Sequence, residues 1–301
     1  MYDCRAQAGL PRSSLSKAGS KMAKANRREP EEFVKEWYSK KAKGEWLRLQ
    51  KDPYHQIEHL VTTHFLHKHL PKRGRGLDAG GGPGRYAIEL AKAGYNVVLL
   101  DLVPEMLKLA QRKAKRTGAN RNIKQFLQGS IEDLSRFQDG TFDAVMCLGG
   151  PLNHLLSQLQ RETAAKELIR VAKKKAPIFV SVISRLGLLR TILTAFPHEM
   201  CYAKHHWEVG DYIPGLQGKG FTAAHWFLPE ELRGLFEKQN VEVLEMAGLE
   251  GLSSLHGKET NKLYKDQERW RMWIEIILET CTHPSVVGNT EHFLLVAKKK
   301  G

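Results

Sequence analysis

Asp78, Gly80, Gly82, Gly84 and Asp101 are the residues whose types and spacing point most directly to chemistry. Alternate glycines allow a tight turn and let a ligand reach the backbone with no Cβ in the way. The free N–H groups of such a turn, and of the helix that follows it, face whatever binds. Gly82-Pro83-Gly84-Arg85-Tyr86-Ala87 fits the dinucleotide pattern G-x-G-x-x-A. Asp78, two residues before Gly80, argues against that reading. A carboxylate there would repel a pyrophosphate but attract an ammonium group. Asp101 closes the next apolar run, where a carboxylate suits the two hydroxyls of a ribose. NAD-binding folds use the same device, so Asp101 points to a nucleoside without naming it.

These residues need a strand, a turn and a helix to hold them, and the chain supplies that order. Strand one covers about 75–80, helix A about 84–93 and strand two Asn96–Asp101, whose Val-Val-Leu-Leu run reads as a parallel strand buried on both faces. Helix B opens at Pro104, strand three covers Ile123–Gln128, strand four Phe142–Leu148, helix D about 155–173 and strand five Ile178–Ile183. This alternation predicts a doubly wound α/β sheet with right-handed crossovers. Upstream, Pro30 and Pro53 each open a helix, with a break expected at Gly44, and Pro71 stops the second. Residues 186–227 read as a long irregular insertion crowded with aromatics, histidines and glycines, and a loop of that length is usually functional. Pro229 opens a further helix, Val241–Met246 is strand six, one long helix is expected over about 258–281, and Phe293–Ala297 is strand seven. The expected division is a basic, unstructured tail over 1–28, helices over 29–72 that pack over the sheet's active edge and cover the site, and the α/β domain over 73–301, with 186–227 as its insertion. The tail has the basic, acid-poor composition of a transit peptide but no clear amphipathic helix, and Met22 is an equally good start.

Composition limits the classes that remain. No apolar run approaches the roughly 20 residues that a membrane span needs. Cys4, Cys147, Cys201 and Cys281 are far apart with no C-x-x-C, which predicts a reduced, cytoplasmic protein without a disulfide framework. The net charge of +14 suits a nucleic-acid partner. Yet much of the excess lies in the tail, at Lys298–Lys300 and over helix surfaces such as 112–116, so a solvated basic surface is the preferred reading. His55 and His59, and His64 and His67, have one-face helical spacing. No acid completes an H-E-x-x-H pattern and His69 falls off the face, so no metal site is expected.

Read as D-x-G-x-G-x-G, the stretch from Asp78 to Gly84 resembles motif I of the class I S-adenosylmethionine-dependent methyltransferases. The resemblance is strongest over about 74–183. It implies a seven-stranded sheet, mostly parallel with the last strand antiparallel, and S-adenosylmethionine as cofactor. The glycine loop, with Gly80, Gly82 and Gly84, would hold the methionine portion with Asp78 at its ammonium, and Asp101 would take the ribose. Leu102, Ser130, Ile131 and Leu148 fall on positions that border the cofactor. Ser130 replaces the Asp often found at the adenine, so a backbone contact from Ile131 is the firmer expectation. Strand four ends in Cys147-Leu148-Gly149-Gly150-Pro151-Leu152-Asn153-His154 rather than in the Asn/Asp-Pro-Pro-aromatic sequence of many base-amine methyltransferases. Cys147 lacks the Pro-Cys signature of pyrimidine-C5 enzymes and reads as a core cysteine.

The methyl of a sulfonium is already activated, so the enzyme needs alignment more than acid–base machinery. A base helps where the acceptor must lose a proton. His154, next to the expected methyl position, is the first candidate. His206, Tyr212 and His225 in the insertion are second-rank candidates, and Trp207, Trp226 and Tyr212 are candidate walls of an aromatic pocket. The expected activity is methyl transfer to O, N or S of a small molecule, with the insertion as a lid. A tRNA methyltransferase is the alternative, an NAD-dependent oxidoreductase is a more distant one, and oligomeric state is not legible.

Overall fold

Val97 and Leu99 of β2 (Asn96–Asp101) enter one core while Val98 and Leu100 enter the other. The continuous apolar run thus belongs to a strand covered on both faces. The computed structural model describes residues 28–218 and 220–301, so the expected tail lies almost wholly outside the described residues. Two helices come first, α1 (Pro30–Arg48) and α2 (Pro53–His69). The α/β core then runs β1 (Arg75–Ala79), α3 (Arg85–Lys92), β2, α4 (Pro104–Thr117), β3 (Ile123–Gln128), β4 (Ala144–Cys147), α5 (Gln158–Val171) and β5 (Pro177–Ile183). The insertion holds α6 (Arg185–Ala195), α7 (Ala203–Glu208) and the short strands β6 (Asp211–Tyr212) and β7 (Ala224–His225). Helix α8 (Pro229–Glu237), strand β8 (Val241–Gly248), helices α9 (Gly257–Leu263), α10 (Gln267–Thr280) and α11 (Pro284–Val287), and strand β9 (His292–Lys299) follow.

The seven-stranded sheet has the order β3-β2-β1-β4-β5-β9-β8. Its pairs are parallel except those of β9, which runs antiparallel to both β5 and β8. The doubly wound sheet with its last strand reversed is therefore the observed fold. The order turns outward from β1 and β4 in opposite directions, and the crevice at that switch point, at the carboxyl ends of the strands, is where such sheets bind ligands.

Three elements differ from the sequence reading. Helix α1 runs through Gly44 without a break. A Cβ there would meet nothing, and one exposed helical glycine costs only about 1 kcal/mol. Among the described residues, Arg28–Glu36, Lys35–Glu31 and Lys40–Glu36 ion pairs lace its first turns. The helix expected over 258–281 is two, because Asp266 takes the N-cap of α10 and accepts from Arg269 N at 3.1 Å. The insertion is largely ordered rather than irregular. Ser184 caps α6, accepting from Gly187 N at 3.1 Å. Buried Arg185 then ties the segment together: its Nη2 reaches both Glu231 oxygens at 2.8 and 2.9 Å, and its Nε donates to Trp226 O at 3.0 Å. No helix among the described residues is long and apolar enough to cross a membrane.

Candidate active site

A cavity of about 130 Å³ lies over the glycine turn between β1 and α3. Gly80, Gly81 and Gly82 form its base, Asp101, Val103 and Met106 one side, and Leu148, Gly149, Pro151 and His154 the other. Val34, Tyr38, Glu45 and Arg48 of α1 close it from outside.

The turn is built against its own scaffold before any ligand is considered. Gly80 N donates to Leu100 O at 2.7 Å, and Gly84 N to Gly81 O at 2.9 Å. At Gly80, with φ +76°, a Cβ would stand 2.4 Å from the Pro151 ring. At Gly84, with φ +80°, it would stand 2.9 Å from Leu99 Cδ1. Side chains are thus excluded at both positions by backbone conformation and by neighbours. At Gly82 a Cβ would meet nothing within 4 Å, so that face of the turn is left open.

Asp101 stands on the cavity wall. Its Oδ2 accepts from Gly82 N and its Oδ1 from Val103 N, both at 2.8 Å. Burial pushes its carboxyl up to about 6 in spite of these two bonds. Each oxygen keeps a further lone pair for a hydroxyl donor. Asp78 is placed differently. It is fully buried beneath the turn and is not on the wall. Its Oδ2 accepts from Ala87 N of α3 at 3.1 Å, while its Oδ1 has no partner among the described residues. A Cβ at Gly81 would come within 2.4 Å of that carboxylate, so the Gly81 backbone separates Asp78 from the cavity. Burial pushes its carboxyl up to about 7, with the Asp101 charge adding to the effect.

These observations test the expected cofactor. A buried carboxylate with an orphan oxygen and, among the described residues, no cation beside it favours positive charge on the far side of the Gly81 backbone. Gly82 N is committed to Asp101 instead of being free for a phosphate. The residues present therefore fit a cationic nucleoside such as S-adenosylmethionine and do not fit a diphosphate.

His154 sits in the single turn Pro151–His154 that follows β4. Its Nδ1 lies 2.9 Å from Ala223 O, and a carbonyl can only accept, so Nδ1 carries the hydrogen. Nε2 is then the acceptor and lies 2.9 Å from the Tyr38 hydroxyl, which donates. Burial lowers the imidazole to about 4, against the pull of the Ala223 carbonyl, so the ring is neutral at pH 7. Phe221 stacks on it at 6.0 Å between centroids.

The other sequence candidates are dispersed. Leu148 lines the cavity, whereas Leu102, Ser130 and Ile131 do not. Ser130 Oγ is engaged with Glu132, accepting from its N at 3.2 Å, and Ile131 packs in the core. His206 is buried against Tyr212, centroids 5.9 Å apart, and burial lowers it to about 4. Tyr212 accepts from Phe221 N at 3.3 Å. His225 Nδ1 lies 2.6 Å from Asp211 Oδ1. None of these three lines the cavity over the turn. Trp226 and Tyr212 form an inner core of the insertion, and Trp207 is half exposed. Cys147 is fully buried and its thiol is pushed up by that burial, as a core cysteine's would be. His55 pairs with Asp52 and His59 with Glu89.

Sequence reasoning missed Tyr38, Glu45 and Arg48. They share one face of α1 with Val34, and that spacing was visible. The face is polar, however, and a search for apolar periodicity passes over a helix that buries tyrosine, glutamate and arginine against a cavity.

The fold and the site define a doubly wound α/β protein with a cavity at the carboxyl ends of its strands that suits a cationic nucleoside. Comparison with known proteins narrows this. The model of a family described as a methyltransferase domain matches residues 77–175. The ubiquinone biosynthesis O-methyltransferase of Vibrio parahaemolyticus is 31% identical over 166 residues, 54% of this chain and 67% of that protein. The Bacillus subtilis protein YqeM is 34% identical over 122 residues, 40% of this chain but only 47% of its own length. The chain thus spans about half of some curated relatives that it matches. A solved structure, a SAM-dependent methyltransferase of Methanosarcina mazei, shares the fold with a TM-score of 0.55 at 22% identity, over 78% of this chain and 97% of that one. The chain belongs to the S-adenosylmethionine-dependent methyltransferases, and S-adenosylmethionine is the cofactor that membership implies.

Proposed function

We propose that the protein transfers a methyl group from S-adenosylmethionine to O, N or S of a small molecule. The observation that carries this reading is the cavity over the glycine turn, which joins bare backbone at Gly80–Gly82 to the Asp101 carboxylate. When bound, the cofactor supplies a methyl carbon already activated by its positive sulfur. The chain's own residues then have to hold, align and shield. Asp101 would accept from the ribose hydroxyls, and Val103, Met106 and Leu148 would pack against the nucleoside. Asp78, which burial holds up at about 7, would ionise as the ammonium arrives and act on it across the Gly81 backbone as a negative charge. Gly149, with φ +81° and open space around its Cβ position except for Arg48 at 4.0 Å, leaves room for an acceptor to approach.

Where the acceptor must lose a proton to an atom near the Tyr38 hydroxyl, His154 Nε2 is the basic atom behind it. Helix α1 and Phe221 would exclude water. Trp37 of α1 meets Phe221 edge-on at 5.4 Å, and Ser39 donates to Glu105 of α4 at 2.9 Å. The cover is thereby tied down on both sides. Such a roofed cavity supports a small acceptor over an RNA, for which an open basic rim would be needed.

Isothermal titration with S-adenosylhomocysteine tests the cofactor roles. Asp101→Ala should weaken binding by roughly tenfold or more, the loss expected when hydrogen bonds to a charged group are removed. Unchanged affinity would remove Asp101 from the site. Release of S-adenosylhomocysteine with small-molecule extracts, set against bulk tRNA, tests the acceptor class.

A further inference from the structure

A second cavity, of about 190 Å³, adjoins the first. Tyr38, Glu45, Arg48 and Gly149 line both, so the two form one space divided by these residues. Its far wall carries Glu58, Glu250, Glu291 and His292.

The charges on this wall do not balance. Arg48 is bidentate to Glu58, with Nη2 to Oε1 at 2.9 Å and a second contact from Nη1 to Oε2. His292 Nδ1 lies 2.6 Å from Glu250 Oε1. Burial alone would lower this imidazole, but the Glu250 and Glu58 carboxylates outweigh it and hold it up at about 9. It is therefore protonated and spoken for. Among the described residues, the third basic side chain on the wall, His55, is paired with Asp52 at 2.7 Å. Two carboxylates are left over. Glu291 Oε2 accepts from Leu255 N at 3.1 Å and from the Tyr54 hydroxyl, neither of which carries a positive charge. Glu45 has one ion pair among the described residues, at 3.5 Å, to an Arg48 whose terminal nitrogens already serve Glu58. Tyr38, Tyr54 and Phe221 add aromatic faces, which attract cations.

We propose that the second cavity is the acceptor subsite and that it receives a small molecule carrying an ammonium group, with Glu45 opposite that charge. The inference rests on reading the first cavity as the cofactor site. A carboxylate-bearing acceptor would meet two acids without a cation of their own and, among the described residues, no uncommitted cation; burial raises the Glu45 carboxyl, and a neighbouring ammonium would offset that. A divalent metal fits poorly. Glu58, Glu250 and His292 offer ligand atoms within 4.8 Å of one another, but Arg48 and the imidazole proton already occupy that arrangement.

In the reaction, an ammonium seated at Glu45 gives one proton to that carboxylate rather than to His154. The lone pair so freed on nitrogen forms the N–CH3 bond. The CH3–S bond breaks, its electron pair stays on sulfur, and the product is a methylammonium beside S-adenosylhomocysteine. Glu45 lines both cavities, which puts the charge partner at the junction where transfer must occur.

The test is calorimetric titration of the protein saturated with S-adenosylhomocysteine, using 2-phenylethylamine, 2-phenylethanol and phenylacetate as probes. The amine should bind roughly ten- to a hundredfold more tightly than the alcohol, the range for a charge-assisted hydrogen bond, and phenylacetate should not bind. Glu45→Gln should abolish the preference, measured with S-adenosylhomocysteine kept saturating for the variant. Glu291→Gln on the opposite wall should reduce it, and serves alone if the first variant does not fold. Equal binding of the amine and the alcohol, no binding of the amine, or a preference that survives substitution overturns the inference while leaving the cofactor site intact. Failure of the unmodified protein to bind S-adenosylhomocysteine overturns both readings together.

Discussion

The Tyr38 hydroxyl and His154 Nε2 lie 2.9 Å apart, although one residue belongs to α1 and the other to the turn after β4, 116 positions along the chain. This bond latches the N-terminal cover onto the methyltransferase core at the edge of the cofactor cavity. Because Ala223 O takes the Nδ1 hydrogen, the same bond sets which imidazole nitrogen faces the site.

Tyr38→Phe leaves His154 Nε2 without its donor while keeping the ring. An acceptor left unsatisfied in a part-buried place costs about 1–3 kcal/mol. The variant should lose stability of that order in urea titration, and its methyl-transfer rate should fall with it. Full stability and full rate would show that the contact is incidental.

Cofactor binding should release protons near neutral pH. Before binding, burial holds Asp101 at about 6 and Asp78 at about 7. Ribose hydroxyls donated to Asp101, and an ammonium across the turn from Asp78, both favour the ionised forms. Affinity for S-adenosylhomocysteine should therefore rise with pH through these two values and level off above them. Calorimetry at a pH between them, in two buffers of different ionisation enthalpy, should show net proton release. Proton uptake, or an affinity that falls across this window, would contradict the assignment.

The Glu58–His292–Glu250 cluster gives stability its own pH limits. His292 is held at about 9, above its ordinary 6.5. Its contribution is present in full below about 6.5 and is lost as pH rises through about 9. Burial alone would raise Glu58, but Arg48 and His292 outweigh it and bring the carboxyl from 4.5 down to about 2. Its contribution is present above about 4.5 and disappears as pH falls toward 2. His292→Gln should flatten the alkaline limb of a stability–pH profile and spare the Arg48–Glu58 part of the acid limb. An unchanged alkaline limb would remove His292 from this account.

By itself the sequence determined the α/β order and the position of the glycine turn, while the reversal of the last strand came only with the family resemblance and is seen in the pairing of β9 with β5 and β8. Order and turn are written locally. Val97–Leu100 is apolar at every position because both faces are covered, and glycine stands at 80 and 84 because positive φ and close neighbours there exclude a side chain. That the helices over 29–72 cover the turn is expected from the sequence, but only the tertiary structure decided which of their side chains face it. Tyr38, Glu45 and Arg48 reach the cavity because α1 docks across it, and a polar helix face gives no periodic signal of its own. His206, Tyr212 and His225 stand in a stretch rich in reactive side chains, yet the ordered insertion directs them into its own core and hydrogen bonds. Asp78 was recognisable as an acid at the turn, but its place beneath Gly81 depends on how β1 and α3 pack, since only that packing sets which side of a glycine backbone a carboxylate occupies.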